Sequence, residues 1–326
     1  MIPVKIPNRH NRSLFGILHN PSPNSDLNIC VVLLSPGVKS RVAPHRLYVK
    51  MARRYVSLGF MVARFDFSGL GDSQGENRET SLVDLYNSVQ LGKFVEDTID
   101  VLNWLENNYG QRRFILAGLC GGAITGLHTG VKDPRVMGLL SLGMPVVLEG
   151  NGVDKRLFMT PHQLESNRSS FIRKAFRINA WKRLFSFESD FKLLYLSFVA
   201  PFLNRLHGRV DAVDRQAVTD NLNPLFHLNF KEFTERKKVL LVFGESDKLL
   251  WDYREKYMAR YQSSFNKLAH NIETRIIPKA NHILSFREWT EEMLDISESW
   301  LKRHFAPEQS SPQAQDITEA VGDVGL

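Results

Sequence analysis

Cysteine is scarce in this chain. Cys30 and Cys120 are the only two in 326 residues. That excludes the disulfide framework of a small secreted domain and leaves a single Cys30–Cys120 bridge as the most the sequence allows. Long hydrophobic runs are missing too. Stretches such as Ile29–Leu34 and Val239–Phe243 fall well short of the roughly 20 residues a membrane-spanning helix needs. The N-terminal Met-Ile-Pro-Val-Lys has no charged segment followed by an apolar stretch, so no secretory signal is expected. The ten histidines do not alternate with cysteines or carboxylates at zinc-ligand spacing. These absences predict a cytoplasmic protein with no metal and no cofactor.

Acidic residues are sparse in one stretch only. The chain carries 42 Lys or Arg against 35 Asp or Glu, a net +7. Between Asp154 and Arg209 there are eleven Lys or Arg and four acids, so this stretch holds the whole excess. The basic character belongs to one insertion, not to the protein as a whole. With 43% apolar and 10% aromatic residues, the remainder can bury a core of ordinary size.

Strand-like and helical patterns alternate through the first half. Leu14–His19, Ile29–Ser35, Phe60–Asp66, Phe114–Leu119 and Val136–Leu142 read as strands. Arg46–Leu58 reads as a helix with Leu47, Met51, Tyr55 and Leu58 on one face, Ser81–Asn107 as a loop and one long helix, and Gly121–Val131 as a further helix. From about Glu149 to Thr234 the rhythm stops, in a segment rich in Phe, Leu, Lys and Arg. It resumes with the strand Val239–Gly244, a helix around Tyr253–Phe265 and the strand Ile272–Pro278. A last helix carries Trp289, Met293, Ile296 and Trp300 at spacings of four, three and four. Such alternation predicts a mostly parallel sheet with helices on both faces. The expected organisation is a core in two parts, 1–148 and 237–306, a helical basic cap over 149–236, and a disordered tail over 307–326.

Chemistry concentrates at the ends of the strand-like runs. Phe114-Ile115-Leu116-Ala117-Gly118-Leu119-Cys120-Gly121-Gly122 is a buried strand, a sharp turn bearing a nucleophile, and a helix start. Residues two places either side of a nucleophile in so tight a turn must be small, and Gly118 and Gly122 stand there. Gly122, Gly126 and Gly130 then make one smooth helix face for close packing on the sheet. A thiol at a helix N-terminus, with an imidazole nearby, is set up to act as a thiolate. The Gly121 N–H points toward a developing oxyanion. The plainer alternative is a buried cysteine in a Gly-rich turn.

An acid and a histidine should follow in that order. Val239–Gly244 runs into Glu245-Ser246-Asp247, where Asp247 is the expected acid and Glu245 its competitor. Ile276-Ile277-Pro278-Lys279-Ala280-Asn281-His282 ends the next strand on the expected general base. Upstream, Ser35-Pro36-Gly37-Val38 is a small-residue turn after a strand, and Val38 is assigned the second oxyanion N–H. Asp66–Ser73 is read as a structural turn near the nucleophile. Its Gly69-Leu70-Gly71 lacks the third glycine and the helix start of a dinucleotide fingerprint.

Leu14–His19, the Ser35-Pro36-Gly37 turn, Pro44-His45-Arg46, Phe65–Ser73 and Gly118-Leu119-Cys120 together resemble the serine-aminopeptidase-type α/β-hydrolases. Among these they are most like the bacterial hydrolases associated with the exosortase system, which often carry Gly-Leu-Cys at the nucleophile turn. The likeness covers roughly residues 13–148 and 237–300. It implies an α/β-hydrolase fold and a triad of Cys120, His282 and Asp247, and it does not extend to the cap segment. Two positions depart from the pattern: Cys120 replaces the usual serine, and Pro36-Gly37 replaces the usual His-Gly. The expected reaction is cleavage of a small-molecule acyl ester or thioester through an acyl-cysteine. Acyl transfer is the alternative, because Gly-Leu-Cys-Gly-Gly is also similar to the turn of polyhydroxyalkanoate synthases. A degenerate fold used for binding is the third reading, opposed by the intact acid and histidine. In the basic segment, Phe171, Ile172, Phe176 and Ile178 interleave with Arg173, Lys174, Arg177, Lys182 and Arg183. They suggest an amphipathic helix whose basic side is either simply solvated or meets an anionic group or membrane surface. No nucleic-acid motif accompanies that charge.

Overall fold

The structure is a computed structural model that describes residues 1–23, 26–149 and 221–306. Its strands are β1 (Ile2–Pro7), β2 (Ser13–His19), β3 (Cys30–Leu34), β4 (Met61–Phe65), β5 (Phe114–Leu119), β6 (Val136–Leu142), β7 (Lys238–Gly244) and β8 (Ile272–Ile277). They form one sheet in the order β1-β2-β4-β3-β5-β6-β7-β8. Only β2 pairs antiparallel with both of its neighbours; from β4 to β8 the pairing is parallel.

Burial explains the order. Every residue of β3, β4 and β5 is buried, as expected for central parallel strands covered on both faces. Side chains alternate between two apolar clusters. Cys30, Val32, Leu34, Phe114 and Leu116 belong to one, and Val31, Leu33, Ile115, Ala117 and Leu119 to the other, following the two-residue period of a strand. Edge strand β1 is largely exposed, and edge strand β8 is mostly half-buried. β1 lay outside the strand pattern read from the sequence; its two prolines suit an edge position.

Helices α1 (Leu47–Ser57), α2 (Leu82–Gln90), α3 (Val95–Tyr109) and α4 (Gly121–Lys132) follow in the first part. After residue 220 come α5 (Pro224–Arg236), α6 (Lys248–Trp251), α7 (Ala259–Phe265) and α8 (Arg287–Phe305). Helices α1 and α8 cover one face, through Tyr48, Met51, Met293 and Trp300. Val89, Leu102, Leu127 and Phe230, from α2 to α5, cover the other. No helix of the described residues is long and apolar enough to cross a membrane.

Three details differ from the sequence reading. Ser81–Asn107 is two helices, not one. Gly92 adopts φ +99°, and the Leu91, Gly92 and Lys93 N–H groups turn back onto the last carbonyls of α2, a Gly-dependent helix stop. The helix around Tyr253–Phe265 is π-helical over Asp252–Met258. Within the span 149–236, α5 packs Phe226, Phe230 and Phe233 into the main core, and Phe233 lies where a Cβ on Gly130 would fall. Gly130 therefore serves helix–helix contact, while Gly122 and Gly126 face the sheet. The remainder of the expected cap, residues 150–220 with their basic helix, and the tail 307–326 lie outside the described residues. Both cysteines are free, Cys30 buried in β3 and Cys120 partly exposed.

Candidate active site

Cys120 sits between the last residue of β5 and the first of α4, with φ 53° and ψ −114°. That conformation is costly for a residue with a Cβ, and its surroundings enforce it. The Cys120 N–H donates to Leu142 C=O of β6 at 2.8 Å, and its C=O accepts the Ala123 N–H at 2.9 Å. Only glycine fits on either side. A Cβ on Gly118 would lie 2.3 Å from the Gly122 carbonyl carbon, and one on Gly122 would lie 2.2 Å from the Leu34 oxygen. The expected tight turn is present, for the expected steric reason.

Asp247 and His282 come from the ends of the next parallel strands. Asp247, 3% exposed, caps α6: its Oδ1 accepts the Leu249 N–H at 3.0 Å. Its Oδ2 faces His282 Nδ1 at 2.8 Å. The Cys120 thiol acts on the same imidazole and favours its charged form. Nδ1 is occupied by the carboxylate, so Nε2 is the nitrogen left to serve the sulfur. Burial disfavours a charged imidazole here. The hydrogen bond to Asp247, the Cys120 thiol and the negative charge of both outweigh it and raise His282 to about 10. The competitor Glu245 is exposed. It accepts the Lys279 N–H at 2.8 Å, bracing the loop after β7 against the loop after β8.

The turn after β3 lies against the turn that carries Cys120. A Cβ on Gly121 would be 2.9 Å from Gly37 Cα and from Val89 of α2. Gly37 has φ +84°, and its N–H bonds back to Ser35 C=O at 2.7 Å, so it is turned inward. Val38 follows, half-buried. Gly121 opens α4, where an N–H has no intrahelical acceptor. Val38 and Gly121 thus stand on two adjoining turns beside Cys120. The Asp66–Ser73 segment clamps the chain just after Val38. The fully buried Asp66 carboxylate holds the Arg41 backbone N–H and guanidinium, and accepts the Asp72 N–H at 3.2 Å.

Gly143, which follows β6, escaped the sequence reading. It has φ +57°, and a Cβ there would lie 2.8 Å from His282 Nδ1 and 3.0 Å from Asp247 Oδ2. A glycine directly after a buried strand was the available signal. Tyr48 was also missed; it reads only as a position in an amphipathic helix. A cavity of about 200 Å³ lined by His227, Tyr257, Arg260 and Tyr261 includes none of these site residues. Among the described residues, no three His, Cys, Asp or Glu side chains are grouped so as to hold a metal ion.

No protein-family model matches the chain, and no curated protein matches its sequence. Solved structures do match. An esterase from Pyrococcus furiosus superposes over 93% of this chain and 91% of its own, with TM-score 0.53 and 16% identity. Est1E from Butyrivibrio proteoclasticus, in a structure with ferulic acid bound, covers 93% and 100%, with TM-score 0.54 and 15% identity. An α/β serine hydrolase without a lid from Xanthomonas campestris covers 94% and 96%, with TM-score 0.51 and 13% identity. At these identities the likeness speaks to architecture. With the sheet order above, the chain has the α/β-hydrolase fold.

Proposed function

We propose that the protein hydrolyses an acyl ester or thioester of a small molecule through an acyl-cysteine intermediate, with Cys120 as nucleophile, His282 as general base and acid, and Asp247 as the group orienting the imidazole. The observation that carries this reading is the 2.8 Å contact of His282 Nδ1 with Asp247 Oδ2, on an imidazole that also feels the thiol of Cys120, a cysteine in strained turn geometry.

Sγ attacks the substrate carbonyl carbon with its proton already held on Nε2 of the His282 imidazolium. The C=O electron pair moves onto oxygen, where the N–H groups of Gly121 and Val38 receive it. The oxyanion then collapses and the C–O or C–S bond to the leaving group breaks. His282 returns the proton to the departing oxygen or sulfur. A water, deprotonated by Nε2, attacks the acyl-cysteine carbonyl. Collapse of the second oxyanion releases the acid and leaves Sγ paired again with the protonated His282. Asp247 keeps Nδ1 protonated throughout and stabilises the imidazolium.

Incubation with p-nitrophenyl acyl esters and acyl thioesters of graded chain length, followed by acid quench and peptide mass spectrometry, tests the reading. An acyl group on the peptide containing Cys120 is expected, with turnover lost in Cys120→Ala and after iodoacetamide treatment. Full turnover in Cys120→Ala would sink it.

A further inference from the structure

Between the two strand ends that carry the nucleophile and the oxyanion turn lies the phenol of Tyr48, the second residue of α1 and fully buried. Its hydroxyl donates to Leu34 C=O at 2.7 Å and accepts the Leu119 N–H at 2.7 Å. Leu34 is the last residue of β3, immediately before Ser35-Pro36-Gly37-Val38. Leu119 is the last residue of β5, immediately before Cys120. Leu34 stands in register with Gly118, so Leu34 C=O and Leu119 N–H occupy places that the slanted bonds of a parallel ladder would join directly. The phenol oxygen is inserted between them.

A direct N–H···O bond would hold these groups about 2.9 Å apart; two bonds in series hold them further apart. The hydroxyl therefore spreads β3 from β5 at their carboxyl ends, where ligands of open α/β sheets bind. Contact between Gly37 and Gly121 limits the other side of the same gap. Burial keeps the phenol well above its ordinary ionisation range, so it remains both donor and acceptor at any working pH.

We propose that Tyr48 is a positioning residue that sets the spacing between the two oxyanion donors, the N–H groups of Val38 and Gly121, by bridging Leu34 and Leu119. This inference rests on the acyl-cysteine reading above. The hydrogen bonds of the Tyr48 hydroxyl go to Leu34 and Leu119 and not to the thiol, the imidazole or the Asp247 carboxylate, whose relay is built on β5, β7 and β8. Its loss should weaken stabilisation of the oxyanion and leave thiol activation alone.

The test compares Tyr48→Phe with the wild-type chain in three measurements. On the best ester found, kcat should fall about 10- to 100-fold, the scale of a small misplacement of catalytic groups. KM should change little, and the shape of the pH profile should be kept. Alkylation of Cys120 by iodoacetamide, which needs the thiol but no oxyanion donors, should proceed at the wild-type rate. Hydrogen exchange of the Leu119 amide should accelerate, because its acceptor is gone. An unchanged kcat would overturn the proposal. So would alkylation falling in step with kcat, which would mark general damage to the nucleophile turn. If the wild-type chain shows no Cys120-dependent turnover, the functional reading fails instead, and unchanged Leu119 exchange would separately refute the bridge.

Discussion

Nδ1 of His282 lies 2.8 Å from Oδ2 of Asp247, and the other oxygen of the same carboxylate accepts the Leu249 N–H at 3.0 Å. The acid is therefore held in place by the helix it caps before it meets the imidazole. Gly143 packs against the pair so closely that a Cβ there would push on both. Glu245, two residues earlier, is exposed and committed to the Lys279 backbone.

This geometry ranks the two acids. Asp247→Asn should keep the fold and lower kcat/KM by about 10³- to 10⁴-fold, because an amide cannot hold the imidazole in the required tautomer or stabilise its charge. Glu245→Gln, a surface change, should stay within about twofold. Steady-state kinetics on one ester decides the order, and the reverse ranking would move the acid to Glu245.

Gly143→Ala probes the packing behind the pair. The added methyl meets His282 and Asp247 and must adopt φ +57°. A loss of about 1–3 kcal/mol in unfolding free energy is expected, together with lower kcat, since the imidazole has to shift to make room. Urea unfolding and kinetics on the same preparation check both; wild-type values in each would show that the contact is soft.

Strain at Cys120 gives a prediction of opposite sign. Cys120→Ala and Cys120→Gly should both abolish turnover, but only glycine is at ease at φ 53° and ψ −114°. The glycine variant should be more stable than the alanine variant by about 0.5–2 kcal/mol, even after the extra chain entropy glycine brings to the unfolded state. Denaturant midpoints would compare them. An alanine variant at least as stable as the glycine variant would mean that the turn holds no strain.

Much of this site was legible in the sequence because its residues follow buried strands, and buried parallel strands are continuous apolar runs. Phe114–Leu119 and Val136–Leu142 are strands with the bounds read from the sequence, and Cys120, Asp247 and His282 follow strand ends that could be placed. Gly118 and Gly122 could be given their roles because steric exclusion in a tight turn is a local effect. What escaped depends on partners distant in sequence. Gly143 matters because of His282 and Asp247, more than a hundred residues away. Tyr48 matters because its hydroxyl meets Leu34 and Leu119 across two strands. The break at Gly92 was visible as a glycine, but apolar periodicity continued through it and carried the single-helix reading. Edge strand β1 shows little alternation to detect, since it is mostly exposed.

Protonation of His282 ties the site to stability. Against the effect of burial, its interactions with Asp247 and Cys120 raise it from 6.5 to about 10. Between those two values the folded chain holds a proton that the unfolded chain has released. The stabilisation from this charge is therefore complete below about pH 6.5 and is lost as pH climbs toward 10. His282→Gln removes the titrating group and with it this dependence. Urea unfolding at about pH 6, 8 and 9.5 should show the wild-type chain losing its advantage over His282→Gln step by step across that window. Asp247→Asn should flatten the wild-type slope in the same direction, because the carboxylate is the first of the partners that raise the imidazole. Parallel pH dependences for the wild-type and His282→Gln chains would mean that the imidazole is not held charged in the folded protein, and the ion-pair picture of the site would have to be abandoned.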